Sequence, residues 1–88
     1  MGVLRYTEPR KLSGQSGLTF TLQGNLQDMT QVNKVVLKMP GYLGSTLALS
    51  PPTNSGTITA HCNNKEDWRA LLKKLGRHFI LTVVEDTK

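Results

Sequence analysis

The chain has a single cysteine, Cys62, in 88 residues, so no disulfide can close within it. A protein this short and without a covalent staple is held by packing alone, which fits a reducing compartment better than secretion. Aromatic residues make up only 6% of the sequence and all apolar residues 38%. The core must therefore be thin and built mainly from Leu and Val, without the depth for a pocket several side chains across. No apolar run approaches the ~18 residues that span a bilayer. The stretch "MGVLRYTEPRK" lacks the apolar segment of a secretory leader, and no Asn-x-Ser/Thr glycosylation acceptor occurs. Met1-Gly2 opens like a myristoylation signal, but Tyr6 stands where that signal requires Ser or Thr. Acidic residues are also few: 6 Asp and Glu against 11 Lys and Arg, a net charge of +5. The expectation is one soluble, cytoplasmic domain over residues 1–88, without membrane attachment. Its surface favours anionic partners.

Catalytic and metal-binding patterns are missing as well. In "GTITAHCNNKEDW" (56–68), Cys62 follows His61 and precedes Glu66-Asp67. Successive side chains of a strand point to opposite faces, so His61 and Cys62 cannot line one site if this stretch is extended. Cys62 then falls with Ile58 and Ala60 on the inward face, and His61 with Thr57 and Thr59 on the outward one. A nucleophilic cysteine needs a base nearby, and His78 is the only other imidazole. Neither Cys-x-x-Cys nor His-x-x-x-His spacing occurs. The carboxylate pairs Glu66-Asp67 and Glu85-Asp86 are sequence neighbours rather than facing groups. These absences point to a non-catalytic protein with no cofactor, no metal and no small-molecule substrate.

Strand patterns fill the first two thirds. "LTFTLQ" (18–23) alternates Leu18, Phe20 and Leu22 with Thr19, Thr21 and Gln23, a strand with one wet face. "NKVVLKM" (33–39) reads the same way, with Val35, Leu37 and Met39 opposed to Lys34, Val36 and Lys38, and Pro40-Gly41 ends it. "STLALS" (45–50) sets Leu47 and Leu49 on one face. Pro51-Pro52 closes it and marks it as a border strand, since proline cannot donate to a ladder. "PPTNSG" is a turn, "GTITAHC" (56–62) its return strand, and "VLRYT" (3–7) a first strand. "GYLG" (41–44) reads as a turn between strands, and "QGNLQDMTQVN" (23–33) as a long polar connection. "KLSGQSG" (11–17) is a flexible loop and 85–88 a frayed tail.

The one helix expected is "NKEDWRALLKKLG" (64–76), from about 64 to 75. Trp68, Leu71, Leu72 and Leu75 form an apolar stripe at i, i+3, i+4 and i+7. Either Asn63 with Glu66 or Asn64 with Asp67 makes a capping start, the acids precede the lysines as the helix dipole favours, and Gly76 terminates the helix. "HFILTVV" (78–84) follows as a strand apolar on both faces, which reads as a central one. The fold class expected is α+β: a small, mostly antiparallel, strongly curled sheet or open β-barrel of five to six strands, with one helix inserted before the last strand.

What remains is charge. Lys65, Arg69 and Lys73 recur every four residues on the helix, with Lys74 beside them and Arg77 just beyond. Residues 65–77 hold five cations against two anions. Such a row can track phosphates, although Glu66 stands where it can pair with Arg69. Arg10 and Lys11 border the Gly/Ser-rich loop as a basic arm, and Lys34 and Lys38 form an outward pair on the 33–39 strand. Phe20, Trp68 and Phe79 fall at core-facing positions, leaving only Tyr6 and Tyr42 as platforms for base stacking, so backbone contact is favoured over base readout. The function expected is a binding module for nucleic acid backbone or an acidic protein surface. The alternative is an assembly component, an adaptor, inhibitor or particle subunit, that recruits a protein partner or another copy through the strand edge at "STLALSPP".

Overall fold

A computed structural model of the chain describes residues 2–11, 13–14 and 16–84. The expected tail at 85–88 lies outside the described residues, as do Leu12 and Gln15 of the expected flexible loop.

The elements run β1 (Gly2–Tyr6), β2 (Arg10–Lys11), β3 (Leu18–Asn25), α1 (Leu26–Leu37), β4 (Tyr42–Ser50), a 3-10 turn (Pro51–Thr53), β5 (Ser55–Cys62), α2 (Lys65–Leu75) and β6 (Phe79–Val83). The strands form one six-stranded sheet in the order β4-β5-β3-β1-β6, with β2 paired to β3. The β1–β6 pair is parallel and the others are antiparallel. The order is an open path with β4 and β6 at its ends. The architecture is α+β and the sheet mostly antiparallel, as expected, but it is an open mixed sheet, neither the strongly curled one nor the open barrel that the sequence suggested.

Every second residue of the central strands enters the core. Leu22 registers with Ile58, Phe20 with Ala60 and Leu18 with Cys62. With Leu4 of β1 they form a continuous buried face, completed from above by Met29, Val32 and Val36 of α1 and Trp68, Leu71 and Leu75 of α2. Both helices therefore lie on the same side of the sheet. Gly24 and Gly56 face each other across β3 and β5 beneath α1, where an added Cβ at Gly56 would stand 3.1 Å from the Met29 side chain. The missing side chains let the helix come down onto the sheet.

α1 overturns the expected strand at 33–39 and the polar connection at 23–33. Asn25 caps it, its Oδ1 accepting the Asp28 N–H at 2.8 Å, and Asp28 favours the positive end of the helix dipole. Met29, Val32 and Val36 lie three and four residues apart and are all buried, whereas Leu37, expected inside, is half exposed. The valines misled because β-branched residues favour strands only weakly, and a surface that needs covering outweighs that preference. Lys38 and Met39 close the helix, and Gly41 makes the turn out of it at φ +68, a conformation that suits glycine. In consequence the described residues form two α-helices, where one was expected.

β6 is a second correction. Its two apolar faces suggested a central strand, yet among the described residues it ends the sheet and pairs with β1 alone. "GYLG" is a third: Tyr42 already opens β4, and the register shift between Tyr42 and Gly44 leaves Leu43 as an extra, exposed residue. β3, β5, α2 and the turn at 51–54 occupy the expected places, with Asn54 in the left-handed region at φ 52.

Candidate anionic-partner surface

α2 positions the row of cations. Asn64, not Asn63, caps it: Asn64 Oδ1 accepts the Asp67 N–H at 3.0 Å, while the Asn63 N–H donates to the Gly41 carbonyl at 2.9 Å. Burying Trp68, Leu71 and Leu75 turns the opposite side outward, and Lys65, Arg69, Lys73 and Lys74 are all exposed. Lys65, Arg69 and Lys73 sit one above another, each about 6 Å further along the axis. Arg77 continues past the helix end and is exposed too. Among the described residues none of these five cations forms an ion pair, and the expected Glu66–Arg69 contact is not made.

α1 contributes Lys34 and Lys38 to the same layer. Expected on a strand, Lys34 lies instead on the helix and Lys38 at its C-cap, yet they still share an outward face. Residues four apart are on one side in both periodicities. The bond from Asn63 to Gly41 joins the start of α2 to the turn after α1, so the end bearing Lys38 meets the end bearing Lys65. At the opposite end of the sheet, Gly2 lies against Asp28 of α1 and beside Phe79. The helices therefore run in opposing directions across one face.

Arg10 and Lys11 are not a free arm. They form β2, registered Arg10 with Thr19 and Lys11 with Leu18. Thr19 in turn registers with His61, so alternation places Arg10 on the open face of the sheet, away from the helix row, and Lys11 on the other. Arg5, which sequence reasoning passed over, registers with Gln23 and joins Arg10 on the open face. Its place in the alternation of β1 was the available signal.

That open face is polar and rich in hydroxyls. Thr46, Thr59 and Thr21 register across β4, β5 and β3, and Thr7 extends the row with a 3.0 Å contact between hydroxyls. His61 Nδ1 lies 2.8 Å from the Thr19 hydroxyl, beside an open depression of about 310 Å³ lined by Gly14, Ser16, Gly17, Leu43 and His61. Cys62 is fully buried on the opposite face, as the alternation requires. Burial, seconded by the Asp67 carboxylate, pushes its thiol up, and the thiol donates to the Asn64 carbonyl at 3.4 Å. His78 is exposed in the turn just before β6, whose first residue Phe79 registers with Gly2 at the far end of the sheet. Cys62, His61 and His78 thus occupy three separate places.

The aromatic expectation needs one correction. Tyr6 and Tyr42 are both half-buried against the core and not free platforms. Tyr6 lies 5.9 Å from Trp68, ring centre to ring centre, and the Tyr42 hydroxyl lies 2.9 Å from that of Ser45. Among the described residues no helix is long and apolar enough to cross a membrane, and no cluster of three or more His, Cys, Asp or Glu could hold a metal ion. In comparisons with known proteins, no family model, no curated protein and no solved structure matches the chain.

Proposed function

We propose that this protein is a non-catalytic binding module whose helix layer docks on the phosphate backbone of a nucleic acid. The observation that carries the reading is the exposed row Lys65, Arg69 and Lys73, free of ion pairs among the described residues and continued by Lys34 and Lys38 on the neighbouring helix. Cations not already paired are available to displace counterions, which is the main source of affinity for a polyanion. The half-buried tyrosines favour contact with the backbone over stacking on bases. An acidic protein surface would meet the same cations. It differs in lacking the steep dependence on salt that condensed counterions impose.

Binding of a labelled duplex and a labelled single strand across a salt series tests this. The logarithm of the affinity should fall linearly with the logarithm of salt concentration, by about 0.9 per duplex phosphate contact. The Arg69→Glu/Lys73→Glu variant should lose that binding while staying folded. Wild-type affinity in the variant would discard the reading.

A second reading is an assembly component acting through a strand edge. It is supported by β4, the segment containing "STLALS", standing at one end of the sheet with Leu43 and Leu49 exposed. Partner capture indifferent to salt and to Arg69 would favour it.

A further inference from the structure

We infer that the nucleic acid is a double helix held across one groove. The α2 row meets the phosphates of one strand, and Lys34 and Lys38 at the end of α1 meet those of the other. This rests on the phosphate-docking reading and adds the form of the ligand.

The two helices are fixed relative to each other. Both pack on the buried face of the sheet, they touch, and they run in opposing directions. Lys38 therefore stands near the level of Lys65, and Lys34 near that of Arg69. The result is two rows side by side, each rising about 6 Å per step. Asp67 lies against Gly41 in the turn after α1, so the flank of α2 that holds Asp67, Ala70 and Lys74 is the one nearer α1. Lys65, Arg69 and Lys73 stand on the other flank. The rows are thus separated by more than the interaxial distance of packed helices, about 8–10 Å. Between them Ala70 is exposed and small, which leaves a low floor.

That spacing selects the ligand. A single strand can follow one row, but to reach the other it must turn back on itself and bring its own charges together. A double helix already presents two backbones, one along each wall of a groove. The minor groove of B-form DNA is about 6 Å wide, and the phosphates on its walls stand farther apart than that. A-form RNA offers a narrow groove on its major side. Charge fits as well. The two rows carry the same sign, and among the described residues neither Lys34 nor Lys38 forms an ion pair. The exposed Glu66 beside Lys65 is outnumbered by the five cations of the rows. A stiff array of cations over a stiff pair of backbones binds with little ordering cost on either side.

Salt titrations of the full chain with a short DNA duplex, the matching RNA duplex and a single strand of each test this. Five contacts predict a log–log slope of about 4.5 on the preferred duplex, and three contacts a slope of roughly 2 on a single strand. Lys34→Gln/Lys38→Gln should lower the duplex slope by about 1.8 and leave the single-strand slope unchanged. Arg69→Gln/Lys73→Gln should lower both. All four residues are exposed, and the backbone N–H by which Lys38 closes α1 survives the change to glutamine, so circular dichroism should show the fold retained. A duplex bound about tenfold or more tighter than its own strands at low salt, with that split between the variants, supports the inference. Whether DNA or RNA is the preferred duplex then identifies the groove. Equal slopes on duplex and single strand, or a duplex slope unmoved by Lys34→Gln/Lys38→Gln, would overturn it and leave phosphate docking standing. Absence of binding to all four nucleic acids would overturn both.

Discussion

The two faces of the sheet use the same strands and the same backbone ladder, and they differ in nearly everything else. One carries Leu4, Phe20, Leu22, Ile58, Ala60 and Cys62, sealed beneath two helices. The other carries Thr19, Thr21, Gln23, Thr57, Thr59 and His61, and among the described residues no helix lies over it. Residues one step apart along a strand thus live in different solvents. The lesson is that stability is concentrated on one face, which leaves the open face and the outer side of the helices to vary in charge at little cost to the fold.

Substitutions can sharpen or break that contrast. The largest effect belongs to the covered face: Leu22→Ala or Ile58→Ala should cost about 2–5 kcal/mol in chemical denaturation, a large share of what a small domain has. Next come the helix starts, because the covering helices depend on them. Asn25→Ala and Asn64→Ala should each cost about 1 kcal/mol, and equal losses would show that α1 is as real a helix as α2. On the open face, Thr21→Ala removes a hydroxyl contact with Thr7 and should cost only about 0.5–1.5 kcal/mol. A loss matching that of Leu22→Ala would mean the open face is not open. Smallest of all, Arg69→Glu with Lys73→Glu should leave stability within about 0.5 kcal/mol, while changing how any polyanion binds.

Cys62 adds a pH arm to the same comparison. Its raised thiol means that the folded state holds the proton more tightly than the unfolded one. Stability from this group is therefore complete below the ordinary thiol range and falls as pH climbs through that range toward the raised value. Cys62→Ala should flatten that alkaline slope. In the native chain at neutral pH, alkylation of Cys62 should proceed only as fast as the protein opens, and prompt labelling would contradict its burial.

The helices show why one part of the molecule was legible and another was not. In α2 the apolar stripe, the cap, the order of the charges and the terminating glycine agree, and no strand pattern competes. In α1 the segment Val35 to Met39 satisfies strand alternation as well as Val32 and Val36 satisfy a helical face. The cap signal, Asn25 with Asp28, was present and lay inside what read as a polar loop. Four-residue spacing also explains why Lys34 and Lys38 kept a common outward face although their element changed. Arg10 failed differently: nothing local indicates that a residue beside a Gly/Ser-rich loop pairs with Thr19 and so faces away from the helix row.

By itself the sequence determined what is local and periodic: which residues of β3 and β5 turn inward, where α2 begins and ends, the single unbridged thiol and the excess of positive charge. Neighbours in space were another matter. That β6 borders the sheet, that α1 covers it and that Arg10 stands on the opposite face from Arg69 follow from pairings between residues far apart in the chain. Each strand's pattern records only that a face is to be buried, and the same pattern is satisfied by several partners. The sum over the whole core selects among them.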